Sequence, residues 1–230
     1  MKMKSKINTA DTSLSCSESG NNAKRQGSVK IFGITGPTGA GKSTVSELFR
    51  KCGVYIADAD KAARCVMKKG SACLNELYRE FGKDIFLPDG SLDRKRLGDI
   101  VFADPEKLIL LNRISHKYIK AYLKREIEES GADLAAIDGA VLIGSPVMNM
   151  CSKLVVVTAE PKTRLERIIA RDNISREAAE MRMAAQPGDE EYLKYADYVI
   201  DNNGQVQGEE IEQICNKIKA EKKAGTAAQA

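Results

Sequence analysis

The 230-residue chain is 43% hydrophobic and 30% charged, with 36 basic against 32 acidic residues and a net charge of +4. That is enough apolar material for one domain with a full core, and no apolar run approaches the roughly 18–20 residues a membrane span requires. The mixed charge, the 5% aromatic content and the absence of Trp suit a small anionic ligand better than a nucleic-acid face.

Six cysteines are scattered without a C-x-x-C pair, and His116 is the single histidine, which argues against a Cys/His zinc site. Reduced thiols in a cytoplasmic protein are expected. Residues 1–28 are rich in Ser, Asn and Lys, carry no apolar signal segment, and are expected to be a disordered tail. Residues 221–230 are expected to be a second loose tail.

The first element in chain order is an apolar run, Val29–Ile34, expected as a buried strand. It leads into Gly36-Pro37-Thr38-Gly39-Ala40-Gly41-Lys42-Ser43 and then into a helix-like run. This matches G-x-x-x-x-G-K-[ST] between a strand and a helix, the setting of a phosphate-binding P-loop. Glycines there let successive backbone N–H groups turn toward an anion, and the helix adds its positive end. Lys42 should reach the outer phosphates and the Ser43 hydroxyl should ligate Mg²⁺. The alternative is an ordinary glycine turn.

A second strand, Val54–Ile56, precedes "ADAD", in which Asp58 and Asp60 are two apart. On an extended backbone both would point the same way at the carboxyl edge of a sheet, where ligands bind. One carboxylate could accept a hydroxyl proton and the other orient the hydroxyl or magnesium-bound water. Against this stands a plain role for Asp60 as the N-cap of the helix that follows.

The long interval to the third strand reads as helical throughout. It holds "SACLNELYREFG", a turn followed by a short helix, and a long helix opening on Asp104-Pro105-Glu106 with Leu108, Leu111, Ile114, Tyr118 and Tyr122 on one stripe. The third strand, Leu134–Ile137, ends at Asp138, placed either to bond magnesium or merely to form a turn. After the strand Leu154–Val157, residues 160–186 read as a helix–turn–helix. Its Arg164, Arg167 and Arg171 share a face, so it is either a lid over a phosphoryl group or a solvated basic helix. Ser175 should cap the second helix of that pair. A fifth strand, Tyr198–Ile200, runs into Asn202-Asn203-Gly204, a resting place for a base or a plain Asx turn. Buried strands alternating with helices predict an α/β doubly wound, five-stranded parallel sheet with helices on both faces.

Together, "GITGPTGAGKSTV", "IADADKAAR", "DGSLDRKRLGDIVFADPEKLILLNRISH", "RIIARDNIS", "MAAQ" and "YADYVIDNNG" resemble the dephospho-CoA kinases, P-loop kinases related to the nucleoside monophosphate kinases. The resemblance spans about residues 29–218 and implies ATP-dependent phosphorylation of the ribose 3′-hydroxyl of dephospho-CoA. It implies a core of 29–60 and 134–220, an acceptor-binding helical insertion of about 61–133, and a lid of about 164–186. Asp60 is then the base, with Lys42 and Arg171 in catalysis. ATP is held by Gly36, Thr38, Gly39, Ala40, Gly41, Lys42, Ser43, Thr44, Arg167 and Asn203, with Mg²⁺ at Ser43. The acceptor side comprises Asp58, Arg64, Arg94, His116 and Asp138.

Two positions depart from the family pattern: Gly144 stands where a Glu is usual, and Lys117 stands where Pro commonly follows the His. Small-molecule partners, no nucleic acid, no membrane, and a monomer or small homo-oligomer are expected. The rival readings are a nucleoside or nucleoside monophosphate kinase, a catalytically weakened paralogue, and a GTP switch. The last lacks an N-K-x-D guanine reader, and its D-x-x-G match, Asp201–Gly204, lies far downstream of the P-loop.

Overall fold

A computed structural model describes residues 29–204 and 206–221. The expected tail of residues 1–28, and all of the expected tail 221–230 but Glu221, lie outside the described residues. Five strands form one all-parallel sheet: β1 (Lys30–Thr35), β2 (Tyr55–Asp58), β3 (Leu134–Asp138), β4 (Leu154–Thr158) and β5 (Tyr198–Asp201). Their order is β2-β3-β1-β4-β5.

Alternation of side chains sorts the strand residues onto two cores, as expected for strands covered on both faces. Phe32, Ile34, Leu134, Ala136, Val155 and Val157 join one core with Val45 and Phe49 of α1 (Lys42–Lys51) and Ile211, Ile214 and Ile218 of α9 (Gly208–Ala220). Ala135, Ile137, Leu154 and Val156 face the other way. There they meet α2 (Ala59–Val66), α3 (Ala72–Phe81), α4 (Arg94–Ala103) and α5 (Pro105–Glu129), which fill the interval between β2 and β3. The long helix α5 starts as anticipated, with the Asp104 carboxylate accepting from the Glu106 and Lys107 N–H groups and Pro105 at its first position. Its deepest line runs through Ile114, Ile119, Leu123 and Ile127, whereas Tyr118 and Tyr122 of the expected stripe are only half-buried.

Each strand runs on past its expected end, and at β2 this has consequences for the site. β2 runs on through Asp58, and α2 begins at Ala59. Asp58 is therefore the cap: its Oδ1 accepts from the Lys61 N–H at 2.8 Å. The capping role considered for Asp60 is overturned, as is the picture of both carboxylates on one extended backbone. Asp60 sits in the first helical turn, where the helix's positive end favours an anion.

In register, Ile34 and Asp58 both stand opposite Asp138, and Thr158 stands opposite Asp201. The carboxyl ends of the strands thus form one edge. The chain leaves β1 toward β2 on one side, while β4 lies on the other, so the glycine loop emerges at the topological switch point.

Candidate active site

The loop between β1 and α1 owes its shape to its glycines in a way the sequence shows only in part. A Cβ on Gly36, whose φ is +148°, would lie 2.1 Å from the Val157 carbonyl oxygen of β4. At Gly41 (φ +85°) it would lie 2.2 Å from the Asn202 amide. The missing side chains therefore let the loop press against its neighbours as well as open its amides to a ligand. The Asn202 amide donates to the Ala40 carbonyl at 2.8 Å, and Lys42 Nζ donates to the Gly36 carbonyl at 2.9 Å.

Over this loop lie α6 (Pro161–Asp172) and α7 (Arg176–Ala184), followed by the short α8 (Asp189–Leu193). Ser175 caps α7 through the Ala178 N–H, as anticipated. The three arginines of α6 diverge in what they do. Arg164 is 5% exposed, pairs with Asp189 and donates Nε to the Thr38 carbonyl at 3.2 Å, so it is no solvated cation. Arg167 donates to the Asn202 carbonyl at 2.8 Å and to the Gly39 and Ala40 carbonyls, which fixes the loop. Arg171 is exposed and forms a two-bond pair with Asp172, which also takes Arg182.

A cavity of about 870 Å³ opens along the carboxyl edge of the sheet. Thr38, Gly39, Gly41, Lys42, Ser43 and Thr44 line its floor, and Arg167 and Arg171 line the side formed by α6. Asn202, Gly204 and Val206 stand at the β5 end, and Asp60 and Asp138 at the β2–β3 end. A second cavity of about 340 Å³ adjoins it, walled by Ala63, Ile119, Leu142 and Val147 with Asn112, His116 and Ser145 as polar groups. Asp60 lines both cavities.

Lys42 is desolvated, which lowers its pKa from 10.5, while the charges of Asp138 and Asp60 push back and those of Arg171 and Arg164 add to the lowering. Burial raises Asp138 above 3.8. The Ser46 hydroxyl, 2.7 Å away, and Lys42 oppose that shift, while Asp58 and Asp60 reinforce it. Because the Ser46 hydrogen bond favours the ionised form, Ser46→Ala is expected to move the Asp138 titration midpoint further up in pH. Carbon-13 NMR of the carboxyl group checks this, and a midpoint that stays or falls contradicts the assignment. The only histidine in the sequence, His116, is held below 6.5 by burial, so it is a neutral ring in the second cavity near pH 7.

Most of the residues expected at the site converge on these two cavities, but several do not. Asp58 caps α2 and lines neither cavity. Arg64 and Arg94, exposed on α2 and at the start of α4, also lie outside both linings. Asn203 turns away: its Oδ1 accepts from the Glu160 N–H at 2.6 Å and its Nδ2 donates to Asp201. The Asp201 carboxylate also accepts from the Asn203 N–H, an Asx turn. The buried Asn202 stands in the cavity instead, Ser46 joins the site without a sequence signal of its own, and Gln186, the end of the "MAAQ" word, joins it without having been given a role. Gly144 lies on the wall of the second cavity at φ +75°, a conformation that disfavours the usual Glu there.

A P-loop at the switch point of a parallel sheet, a charged cavity above it and a smaller cavity beside it define a P-loop phosphotransferase for small molecules. Comparison with known proteins narrows the class. A family model described as dephospho-CoA kinase matches residues 30–208. The dephospho-CoA kinase of Listeria innocua is 42% identical over 177 residues, covering 76% of this chain and 88% of that protein. That of Bacillus anthracis is 37% identical over 181 residues, covering 77% and 90%.

Among solved structures, a Thermus thermophilus protein superposes with a TM-score of 0.69 at 30% identity, covering 84% of this chain and 99% of that one. Dephospho-CoA kinase from Campylobacter jejuni gives a TM-score of 0.50 at 28% identity, covering 82% and 94%. The chain belongs to the dephospho-CoA kinase family, transferases that phosphorylate dephospho-CoA.

Proposed function

We propose that the donor is ATP, that the acceptor atom is the ribose 3′-hydroxyl of dephospho-CoA, and that the products are coenzyme A and ADP. The observation that carries this reading is the position of Asp60, which lines both the cavity floored by the P-loop and the smaller one beside it. A base that serves both compartments can take the proton of an alcohol in one while a phosphoryl group arrives from the other.

In this account the triphosphate lies along the loop from Gly36 to Thr44, with Lys42 on its outer phosphates and its nucleoside toward Asn202, Gly204 and Val206. The hydroxyl oxygen attacks the terminal phosphorus in line, and the bond from that phosphorus to the bridging oxygen breaks. Asp60 takes the hydroxyl proton, and ADP leaves with the bridging electron pair. Arg171 exchanges Asp172 for the charge on the transferring group, and residues of about 164–186 act as the lid. Helices in the region of about 61–133 form the acceptor side, with His116 and Asn112 offering polar edges beside the apolar walls of the second cavity.

The donor set fits Mg²⁺. The Ser43 hydroxyl and the Asp138 carboxylate line the same cavity, and a hard cation that keeps most of its waters needs no more protein ligands than these. Held by Ser43 and Asp138, the ion would supply positive charge that offsets the charge of the phosphates. A cytoplasmic location is part of the proposal. Five described cysteines are free, and burial pushes Cys73 and Cys215 up to about 11 and Cys151 up to about 12, so these three are inert thiols.

The test is ATP turnover by the full chain with dephospho-CoA, AMP, uridine and shikimate in parallel, with phosphorus NMR of the product. Turnover confined to dephospho-CoA, with a 3′-phosphomonoester formed, is the expected result. Preference for another acceptor, or ATP binding with no acceptor modified, would overturn it.

A further inference from the structure

Gln186 follows the last turn of α7 and lines the large cavity, yet nothing above gives it a task. Its Oε1 accepts from the backbone N–H of Thr38, in the P-loop, at 2.7 Å. The same peptide segment is gripped from the other side, because Arg164 donates to the Thr38 carbonyl and is itself held by Asp189. The Gln186 N–H bonds the Met183 carbonyl, so the residue is anchored to the helix end. Glutamine is thus fixed at both its backbone and its side chain.

The direction of the amide follows from elementary chemistry. A backbone N–H can be met only by an acceptor, so Oε1 must face Thr38. The –NH₂ group then faces away from it, as a two-hydrogen donor at the cavity wall. Its place along the cavity is also defined. A third, smaller cavity is lined by Gln186 together with Ala140, Val141 and Ile143, residues that follow β3. Gln186 therefore belongs to the β2–β3 end, with Asp60 and Asp138, and not to the β5 end, where Asn202 and Val206 stand. In a triphosphate laid along the loop, only the terminal phosphoryl group reaches that end.

From this we infer that Gln186 is a specificity-determining residue: the Thr38 N–H orients its amide so that Nε2 donates to the terminal phosphoryl group of a nucleoside triphosphate. It thereby distinguishes the triphosphate from the diphosphate product. The inference rests on the kinase reading above. Loss of a hydrogen bond to a charged group weakens binding about tenfold or more.

Calorimetry on the full chain with Gln186→Met, titrated with ATP and with ADP, tests it. ATP affinity is expected to fall about tenfold while ADP affinity stays within about twofold. Gln186→Glu keeps an acceptor for the Thr38 N–H but has no donor. It is expected to lose ATP affinity while its melting temperature matches that of the parent, which covers the case of a Met variant that folds poorly. Equal losses for ATP and ADP would reduce Gln186 to a clamp on the loop and overturn the inference, as would no loss for either. If the unsubstituted chain bound neither nucleotide, the kinase reading itself would fail.

Discussion

Asp60→Asn is expected to lower turnover by about 10²- to 10⁴-fold, the usual scale for a removed general base, with ATP affinity nearly unchanged. The size of the effect follows from position. Among the described residues Asp60 is the one carboxylate on the shared wall of the two cavities, and it stands outside the capping interaction that Asp58 supplies. Asparagine fills the same space and can still accept a hydrogen bond, but it cannot take the hydroxyl proton. Removing a charge from the first turn of α2 costs about 0.3–1 kcal/mol of stability, too little to explain a loss of that size. Steady-state kinetics with a thermal melt separates the two effects. A small drop in melting temperature at unchanged turnover would make Asp60 a helix-terminal anion and nothing more.

Lys42→Met is expected to lower kcat/KM by at least about 10²-fold, the scale for a lost donor to developing charge, and to weaken ATP binding. Its effect on stability should run the other way. Burial depresses the folded-state pKa of Lys42 below 10.5, so the unfolded chain holds that proton more tightly. Stability therefore rises with pH between the depressed folded value and 10.5, and below that window the protonated lysine opposes folding. Methionine keeps the aliphatic stem and removes the charge. It forfeits the hydrogen bond to the Gly36 carbonyl, which offsets part of the gain. An unchanged or raised melting temperature with severely impaired catalysis is the expected pair of results. A variant that stays active, or one that melts far below the parent, would contradict the account of the loop.

Features that depend on near neighbours in the chain were readable from the residues. The central strands β1, β3 and β4 announced themselves because burial on both faces demands near-continuous apolar runs, and the shorter edge strands β2 and β5 kept enough of that signal to be read. The P-loop did so because its chemistry lies within eight consecutive positions. Caps such as Asp104 and Ser175 are equally local.

What escaped is set by the sheet order. Ser46 meets Asp138 only because β3 lies beside β1, and Thr38 meets Gln186 only because α7 ends over the P-loop. Helical spacing placed three arginines on one face correctly. It could not distinguish Arg164, buried against the P-loop and paired with Asp189, from Arg171, open to the cavity. The D-A-D word illustrates the same limit. Two alternating carboxylates fit an extended strand as well as a strand end followed by a helix, and two residues of boundary shift exchanged the roles of cap and cavity wall.

The claim at the centre is that the Asp60 carboxylate meets the acceptor alcohol in front of the terminal phosphoryl group. A crystal structure of the chain with a non-hydrolysable ATP analogue and dephospho-CoA measures this directly. The account predicts an Asp60 oxygen about 2.6–3.2 Å from the ribose 3′-hydroxyl, with that hydroxyl in line with the terminal phosphorus. A ribose lying elsewhere, with Asp60 facing bulk water, would contradict it.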